Sequence, residues 1–357
     1  MKIAILAHAN HPIQEPYEGG LEMITALIVK ALRKEGHQVD LFALGSSAIN
    51  LAPVALNDPN YNWDPAELGT EAFNMNVASY YSLAFLKLKD GNYDLVHNNS
   101  LHYLPIILGN SLDIPFLTSF HTPVFPEISY ALNALRSPLQ YFSAVSKSLS
   151  KLYSEFGKCD VVYNGIDIDK WEFANNPSDY YFWYGRICPE KGTHTAIEAA
   201  TKLGKKIYLA GPKSNMEYYI KEVAPLINNQ NVVYLGHLNQ VEVNQWLKKA
   251  RAMLFTSTWD EPYGLTIAES LASGTPVVSW NKGAAPEILT NKTGRVVAPF
   301  NMLEFQNALI EIEKLDRRDC RVRAIEFCSV EKMVNGYLDL YTRMLKPKNS
   351  LNLQEVC

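Results

Sequence analysis

The chain has 357 residues; 33 Lys plus Arg stand against 37 Asp plus Glu for a formal charge of −4, and 47% of the residues are hydrophobic. That balance excludes a collagen-like, coiled-coil or disordered chain. At about 100 to 200 residues per domain, the length predicts two domains, each able to bury its own core. The five cysteines, Cys159, Cys188, Cys320, Cys328 and Cys357, are odd in number and lack paired metal or redox spacing, which reads as thiols in a reducing cytoplasm.

The first segment, Met1 to Ala9, carries one Lys and only a short apolar run, Ile3 to Ala7, before His8, Asn10 and His11. It is read as a buried strand, not a secretory leader. No window approaches the ~20 apolar residues of a spanning helix, so membrane contact is expected to be peripheral at most. An irregular stretch leads to Gly20; Leu21, Ile24, Ile28, Ala31 and Leu32 then recur at helical spacing, Gly36 stops them, and a strand follows over Val39 to Leu44. This βαβ unit implies a parallel sheet. Further strands are expected at Leu95 to His97, Phe116 to Phe120, Tyr141 to Val145 and Val161 to Tyr163. The polar stretch Asn164 to Ser178 reads as a linker. Beyond it, strands at Tyr181 to Tyr184, Ile207 to Ala210, Val232 to Leu235, Met253 to Thr256 and Val277 to Trp280 predict a second parallel sheet. The last periodic segment is Val330 to Leu345, followed by a polar tail. The expected division is 1–172, 173–329, a helix over 330–345, and a tail over 346–357.

Charge divides unevenly: residues 1–172 hold 11 basic and 18 acidic side chains, residues 173–357 hold 22 and 19. An anionic ligand is drawn to the second half, and the acidic first half argues against nucleic acid or anionic lipid. The basic residues of Ser129 to Lys158 read as a solvated face, and the aromatics of Tyr180 to Tyr184 as sheet core.

The first strand is not followed by G-x-G-x-x-G, and no G-x-x-x-x-G-K-[ST] occurs, which removes the main support for nicotinamide-dehydrogenase and P-loop readings. The loop ends instead in Gly19-Gly20 at a helix start, where bare amides can approach an anion. In the second half, the strand ending at Tyr184 opens into Gly185-Arg186-Ile187-Cys188-Pro189-Glu190-Lys191-Gly192, and a helix is expected from Thr193 with Thr195 and Glu198 spaced as a capping box. Arg186 and Lys191 at the carboxyl end of a strand suit a diphosphate. After the strand Met253 to Thr256 comes Asp260-Glu261-Pro262-Tyr263-Gly264-Leu265-Thr266-Ile267-Ala268-Glu269. Gly264, Leu265 and Thr266 place amides at another helix start. Glu261 in the loop and Glu269 one turn into the helix are too far apart to share a proton and reach different parts of an elongated ligand.

These residues resemble a retaining glycosyltransferase of family four (glycosyl transferases group 1) over nearly the whole chain. The resemblance rests on Glu261 and Glu269 before Gly274-Thr275-Pro276-Val277-Val278, on the G-R-x-x-x-x-K-G turn at Gly185 to Gly192, on Asn164-Gly165-Ile166-Asp167, and on Gly19-Gly20. It implies the GT-B fold, two Rossmann-like parallel-sheet α/β domains facing across a cleft, with 1–172 binding the acceptor, 173–329 binding the nucleotide sugar, and 330–345 crossing back to the first domain. It further implies that Arg186 and Lys191 hold the donor diphosphate, Glu261 the donor sugar, Glu269 the ribose, and that Tyr263, Gly264, Leu265 and Thr266 line the same donor site. Gly19 and Gly20 would join the donor contacts, the base would lie near Leu238, and His121 would meet the donor sugar from the acceptor side. The implied catalytic set is His121, Glu261, Arg186 and Lys191.

The activity so implied is transfer of a hexosyl group from a nucleotide sugar, UDP-glucose or another UDP-hexose, to an acceptor hydroxyl with retention. No metal and no cofactor are expected, the nucleotide sugar being a co-substrate; Asp167-Ile168-Asp169 has D-x-D spacing but falls in the linker. A small soluble or saccharide acceptor fits the charge split better than a lipid-linked one, which stays open. No nucleic-acid partner is expected, and the oligomeric state is undetermined. The rival readings are a nucleotide-sugar epimerase of the same architecture and a non-catalytic sugar-nucleotide-binding subunit.

Overall fold

A computed structural model describes residues 1–56, 67 and 69–346. Residues 57–66 and 68, and the expected tail beyond residue 346, lie outside the described residues. The chain forms two compact units, one of residues 1–144, 150–162 and 333–357, the other of residues 145–149 and 163–332.

In unit one the elements run β1 (Lys2–Ala7), α1 (Gly20–Lys34), β2 (Gln38–Ala43), β3 (Pro53–Ala55), α2 (Glu71–Asp90), β4 (Leu95–Asn99), α3 (Tyr103–Leu108), β5 (Phe116–Phe120), α4 (Pro126–Asn133), β6 (Gln140–Ala144), α5 (Lys147–Tyr153) and β7 (Cys159–Val161). The α5 residues Lys147 to Leu149 belong to unit two. The strands pair in parallel in the order β3-β2-β1-β4-β5-β6-β7. β4 and β5 are buried at every position, as a parallel sheet covered by helices on both faces requires. In α2, Phe73, Val77, Tyr80, Tyr81, Ala84, Phe85 and Leu88 recur at helical spacing and are buried, and the Thr70 hydroxyl caps the helix by accepting from the Phe73 amide at 3.2 Å. The strand expected at Val161 to Tyr163 forms two residues earlier, because its partner β6 ends at Ala144, the residue opposite Val161.

Unit two runs β8 (Tyr180–Tyr184), α6 (Thr193–Lys202), β9 (Lys206–Ala210), α7 (Met216–Tyr218), β10 (Val232–Tyr234), α8 (Gln240–Leu247), β11 (Ala252–Phe255), α9 (Leu265–Ala272), β12 (Val277–Trp280), α10 (Ala285–Ile288), β13 (Gly294–Val297), α11 (Met302–Glu311), α12 (Arg317–Phe327) and the start of α13 (Val330–Leu345). Its sheet is parallel, in the order β10-β9-β8-β11-β12-β13. The expected capping box at Thr195 and Glu198 does not form: Gly192, at φ +63°, starts the helix, so Thr195 already lies inside the first turn. Asp167 accepts from the Asp169 amide at 3.2 Å and so caps a short turn, which accounts for the D-x-D spacing structurally.

From Met333 onward α13 belongs to unit one. There Tyr337 and Tyr341 are fully buried. The two ring nitrogens of His97 lie 2.7 Å from the Tyr341 hydroxyl and 2.7 Å from Ser119 Oγ, and Ser119 in turn bonds Ser143 at 2.7 Å and Tyr337 at 3.3 Å. Burial pushes His97 down to about 3, so the network is neutral. Among the described residues, no helix is long and apolar enough to cross a membrane.

Candidate active site

In an open parallel sheet, the point where strand order reverses leaves a crevice at the carboxyl ends of two adjacent strands. In unit two those strands are β8 and β11, which pair with each other while their following neighbours lie on opposite sides. The loop after β8 carries Arg186 and Lys191, and the loop after β11 carries Glu261. Topology alone therefore delivers these residues to one end of the sheet.

The two loops are stitched together by their main chains. Thr258 N donates to the Glu190 carbonyl at 2.8 Å, and the Thr256 hydroxyl donates to the Gly192 carbonyl at 2.9 Å. A Cβ at Gly192 would stand 2.4 Å from the Thr256 carbonyl oxygen, and one at Gly283 would stand 2.4 Å from the Glu261 backbone, so both approaches require glycine. At this junction Lys191 Nζ pairs with Glu261 Oε1, which also accepts from Ser257 Oγ at 3.0 Å. The Glu261 residue is 7% exposed, and Lys191 sits 5.6 Å from the centre of the Trp259 ring. Arg186 does not share this contact: its side chain is 57% exposed and lies 3.5 Å from Glu190.

Gly264 adopts φ +94° and starts α9, placing the Leu265 and Thr266 amides at the positive end of the helix. Glu269 lies in the second turn, 9% exposed, with Oε2 2.5 Å from the Tyr184 hydroxyl. Burial lifts its carboxyl to about 7, against the opposing pull of the Tyr184 bond. Tyr263 is 3% exposed, its ring 6.5 Å from that of Tyr163, so it packs beneath the loop. Leu238 is half-buried in the loop after β10, just before Asn239 and Glu242 close a capping box on α8.

Unit one has its own reversal point between β1 and β4. Beyond β1, exposed Gly19 and Gly20 begin the fifteen-residue α1. Beyond β5, His121 Nε2 lies 2.6 Å from Asn99 Oδ1; Asn99 Nδ2 donates to Thr25 Oγ1 at 2.9 Å, and Thr25 donates to the Leu21 carbonyl at 2.8 Å. The amide oxygen can only accept, so His121 carries its proton on Nε2 and leaves Nδ1 as an acceptor. Burial pushes His121 down to about 4, which keeps it neutral at pH 7. Next to α1, His8 Nε2 lies 2.7 Å from Glu22 Oε1, both buried. Burial raises the Glu22 carboxyl, and the His8 bond and charge, with a backbone hydrogen bond and the charge of His11, more than offset that, leaving it below its usual value.

Residues 166–327 match the family described as Glycosyl transferases group 1, and residues 18–170 the family described as Glycosyltransferase Family 4. The chain belongs to the group 1 glycosyltransferases. Among relatives of this chain, a glycogen synthase of Mycobacterium tuberculosis is 27% identical over 236 residues, covering 58% of this chain and 56% of the relative. The chain thus spans little more than half of that protein's length. The O-antigen chain mannosyltransferase C of Escherichia coli is 22% identical over 376 residues, covering 93% and 96%. The crystal structure of Anabaena HepE in complex with UDP superposes with a TM-score of 0.73 at 20% identity, covering 96% and 100%. The fold is therefore GT-B.

Several partners were not foreseen from the sequence: Asn99 on His121, Ser257 and Trp259 at the Lys191–Glu261 pair, the His8–Glu22 pair, and Tyr184 on Glu269. Asn99 had a signal, the polar run Asn98-Asn99-Ser100 at the end of the strand that opens with Leu95 and Val96. Tyr184 did not, being one aromatic among five. Among the described residues, no three His, Cys, Asp or Glu side chains converge to hold a metal ion.

Proposed function

We propose that this protein transfers a hexosyl group from a nucleotide sugar, a UDP-hexose, to the hydroxyl of a saccharide or small soluble acceptor, with retention of configuration and without a metal. The observation that carries this reading is the junction of Lys191, Glu261 and the α9 N-terminus at the reversal point of unit two. It offers a cation and free amides to a diphosphate and a buried carboxylate to sugar hydroxyls. Breaking the bond between the anomeric carbon and the phosphate oxygen builds positive charge on the sugar and negative charge on the leaving diphosphate. Lys191, the exposed Arg186, and the Leu265 and Thr266 amides are assigned to that negative charge; Gly19 and Gly20 are assigned to further donor contacts. Glu261 takes sugar hydroxyls, Glu269 the ribose, and the main chain near Leu238 the base.

The acceptor oxygen forms its bond to the anomeric carbon on the face the phosphate leaves, and its proton passes to the departing phosphate oxygen. No carboxylate nucleophile is required. Neutral His121 is assigned to hydrogen bonding through Nδ1, not to proton transfer. Unit one is assigned to the acceptor. Relatives named as O-antigen chain mannosyltransferases and as a phosphatidyl-myo-inositol mannosyltransferase support a saccharide acceptor and keep a lipid-linked one in the test. The similar crystal structures of Anabaena HepE with UDP and with UDP-glucose support a UDP-linked donor. Free Cys159, Cys188, Cys320 and Cys328 support a cytoplasmic location.

The test is a matrix of UDP-, GDP- and ADP-sugars against saccharide, small-molecule and lipid-linked acceptors, reading nucleotide release and the anomeric configuration of product by NMR. A UDP-hexose with a retained product is expected. An inverted product overturns the mechanism, and turnover of donor without acceptor incorporation overturns the transferase reading.

A further inference from the structure

Tyr184 closes β8 with its hydroxyl 2.5 Å from Glu269 Oε2 and 3.2 Å from the Thr266 carbonyl oxygen. A phenol has one proton, so it donates to one of these oxygens at a time. When Glu269 is ionised the carboxylate takes that proton bond, because charge-assisted bonds are the stronger. When Glu269 is protonated its own O–H donates to the phenol oxygen, and Tyr184 turns its proton to the Thr266 carbonyl. Both patterns leave Tyr184 and Glu269 Oε2 partnered, so Glu269 can gain or lose a proton without stranding either group.

The two states differ in what they offer a ligand. A ribose diol presents two O–H donors; an ionised carboxylate accepts both, whereas a neutral acid uses one oxygen as a donor. We propose that Tyr184 is the positioning residue that holds Glu269 and governs its proton, so that the nucleotide ribose is gripped through the ionised carboxylate alone. This rests on the reading that Glu269 meets the ribose.

Burial is the larger influence on Glu269, and the surroundings leave Tyr184 as the one side chain that opposes it. Besides β8, which reaches α9 through Tyr184, the elements packed most closely on α9 are α10, α12, β11 and β12. β11 and β12 carry no titratable side chain. On α12, Arg317 donates to the Ala174, Lys248 and Ala250 carbonyls, Arg321 to those of Trp171 and Ala272, and Arg323 to those of Glu287 and Ile288. The same helix holds Asp319, Glu326, Cys320, whose thiol donates to the Thr293 carbonyl, and Arg318, which pairs with Asp316. Glu287 on α10 accepts from the Tyr163 hydroxyl, and Lys191 pairs with Glu261. Burial then brings Glu269 to about 7, where both states are populated.

The experiment is calorimetric binding of UDP-glucose, GDP-mannose and ADP-glucose between pH 6 and 9, where their diphosphate diesters do not titrate, to the wild-type chain, Tyr184→Phe and Glu269→Gln. Wild-type affinity is expected to be about tenfold tighter at pH 8 than at pH 6, following the ionised fraction. Tyr184→Phe is expected to bind roughly three- to tenfold more weakly at pH 7, with its midpoint moved to higher pH and the deficit narrowing toward pH 9. Glu269→Gln is expected to bind weakly at every pH. Carbon-13 NMR of Glu269 in the free protein is expected to titrate near 7 in the wild type and higher in Tyr184→Phe. A Tyr184→Phe deficit equal at every pH, or a wild-type NMR midpoint in that variant, overturns the proposal. Failure of all three nucleotide sugars to bind overturns the donor reading instead, while the NMR midpoints still decide whether Tyr184 governs the proton.

Discussion

Glu269→Gln tests the energetics of the donor-binding unit apart from any substrate. Glutamine keeps the shape of the side chain and an oxygen that can accept from Tyr184, and it removes the charge. The carboxyl rises from its usual 4.5 to about 7 because burial disfavours its ionised form. Between those two values the unfolded chain has released the proton and the folded protein still holds it. Stability from this group is therefore complete below pH 4.5 and is lost as pH rises to 7. The loss is about 3 kcal/mol, at 1.36 kcal/mol for each tenfold change in proton affinity. Glutamine has no such term, so the variant should gain about 3 kcal/mol on the wild type between pH 4.5 and pH 8. Urea unfolding at pH 4.5, 6 and 8, followed by tryptophan fluorescence, measures it; acid effects from other groups cancel in the difference. A difference that stays flat with pH would show that Glu269 ionises normally in the fold and would remove the reasoning behind its assigned behaviour.

Lys191→Ala should lower turnover by at least about a hundredfold through lost stabilisation of the leaving phosphate, while Glu261 keeps its Ser257 bond; a wild-type rate in the best donor–acceptor pair would remove Lys191 from the site. Asn99→Asp should place a carboxylate against His121 and raise the histidine from about 4, so that its ring protons titrate above pH 5 in NMR spectra of the variant and not in those of the wild type. Burial holds His97 near 3 and His102 and His121 near 4. The unfolded chain takes up protons at these positions from about pH 6.5 downward, so unit one should lose stability as pH falls through 6 to 4, by at most about 4 kcal/mol per pH unit for the three together. Urea midpoints that hold constant between pH 7 and pH 4.5 would contradict that burial.

The parallel strands were legible because they are apolar runs closed by glycine or polar residues, and Arg186, Lys191, Glu261 and Glu269 stood out because they follow such runs. What could not be read was which of them meet. Lys191 and Glu261 are seventy positions apart, and only the crossover that sets β8 beside β11 joins them. Tyr184 was hidden among core aromatics, since periodicity does not say that the last ring of a strand reaches a carboxylate. The strand β13, with Gly294 and Arg295 in a four-residue span, lacks the apolar run that marks the others and was missed. The helix start at Gly192 defeated the capping-box reading because a left-handed glycine can open a helix without a side-chain cap.

The last helix is seated by polar groups as well as by oil-like ones. Apolar ridges alone would tolerate sliding along the surface beneath, but Tyr337 and Tyr341 must meet a histidine and a serine that have no water to fall back on. Moving the helix by a single residue would strand Nδ1 of His97 and break the Ser119–Tyr337 bond in a dry interior, a penalty of two buried hydrogen bonds together. The last helix is thus keyed to one position, as a tumbler fixes a lock, and a Tyr341→Phe change should loosen that choice more than it empties space.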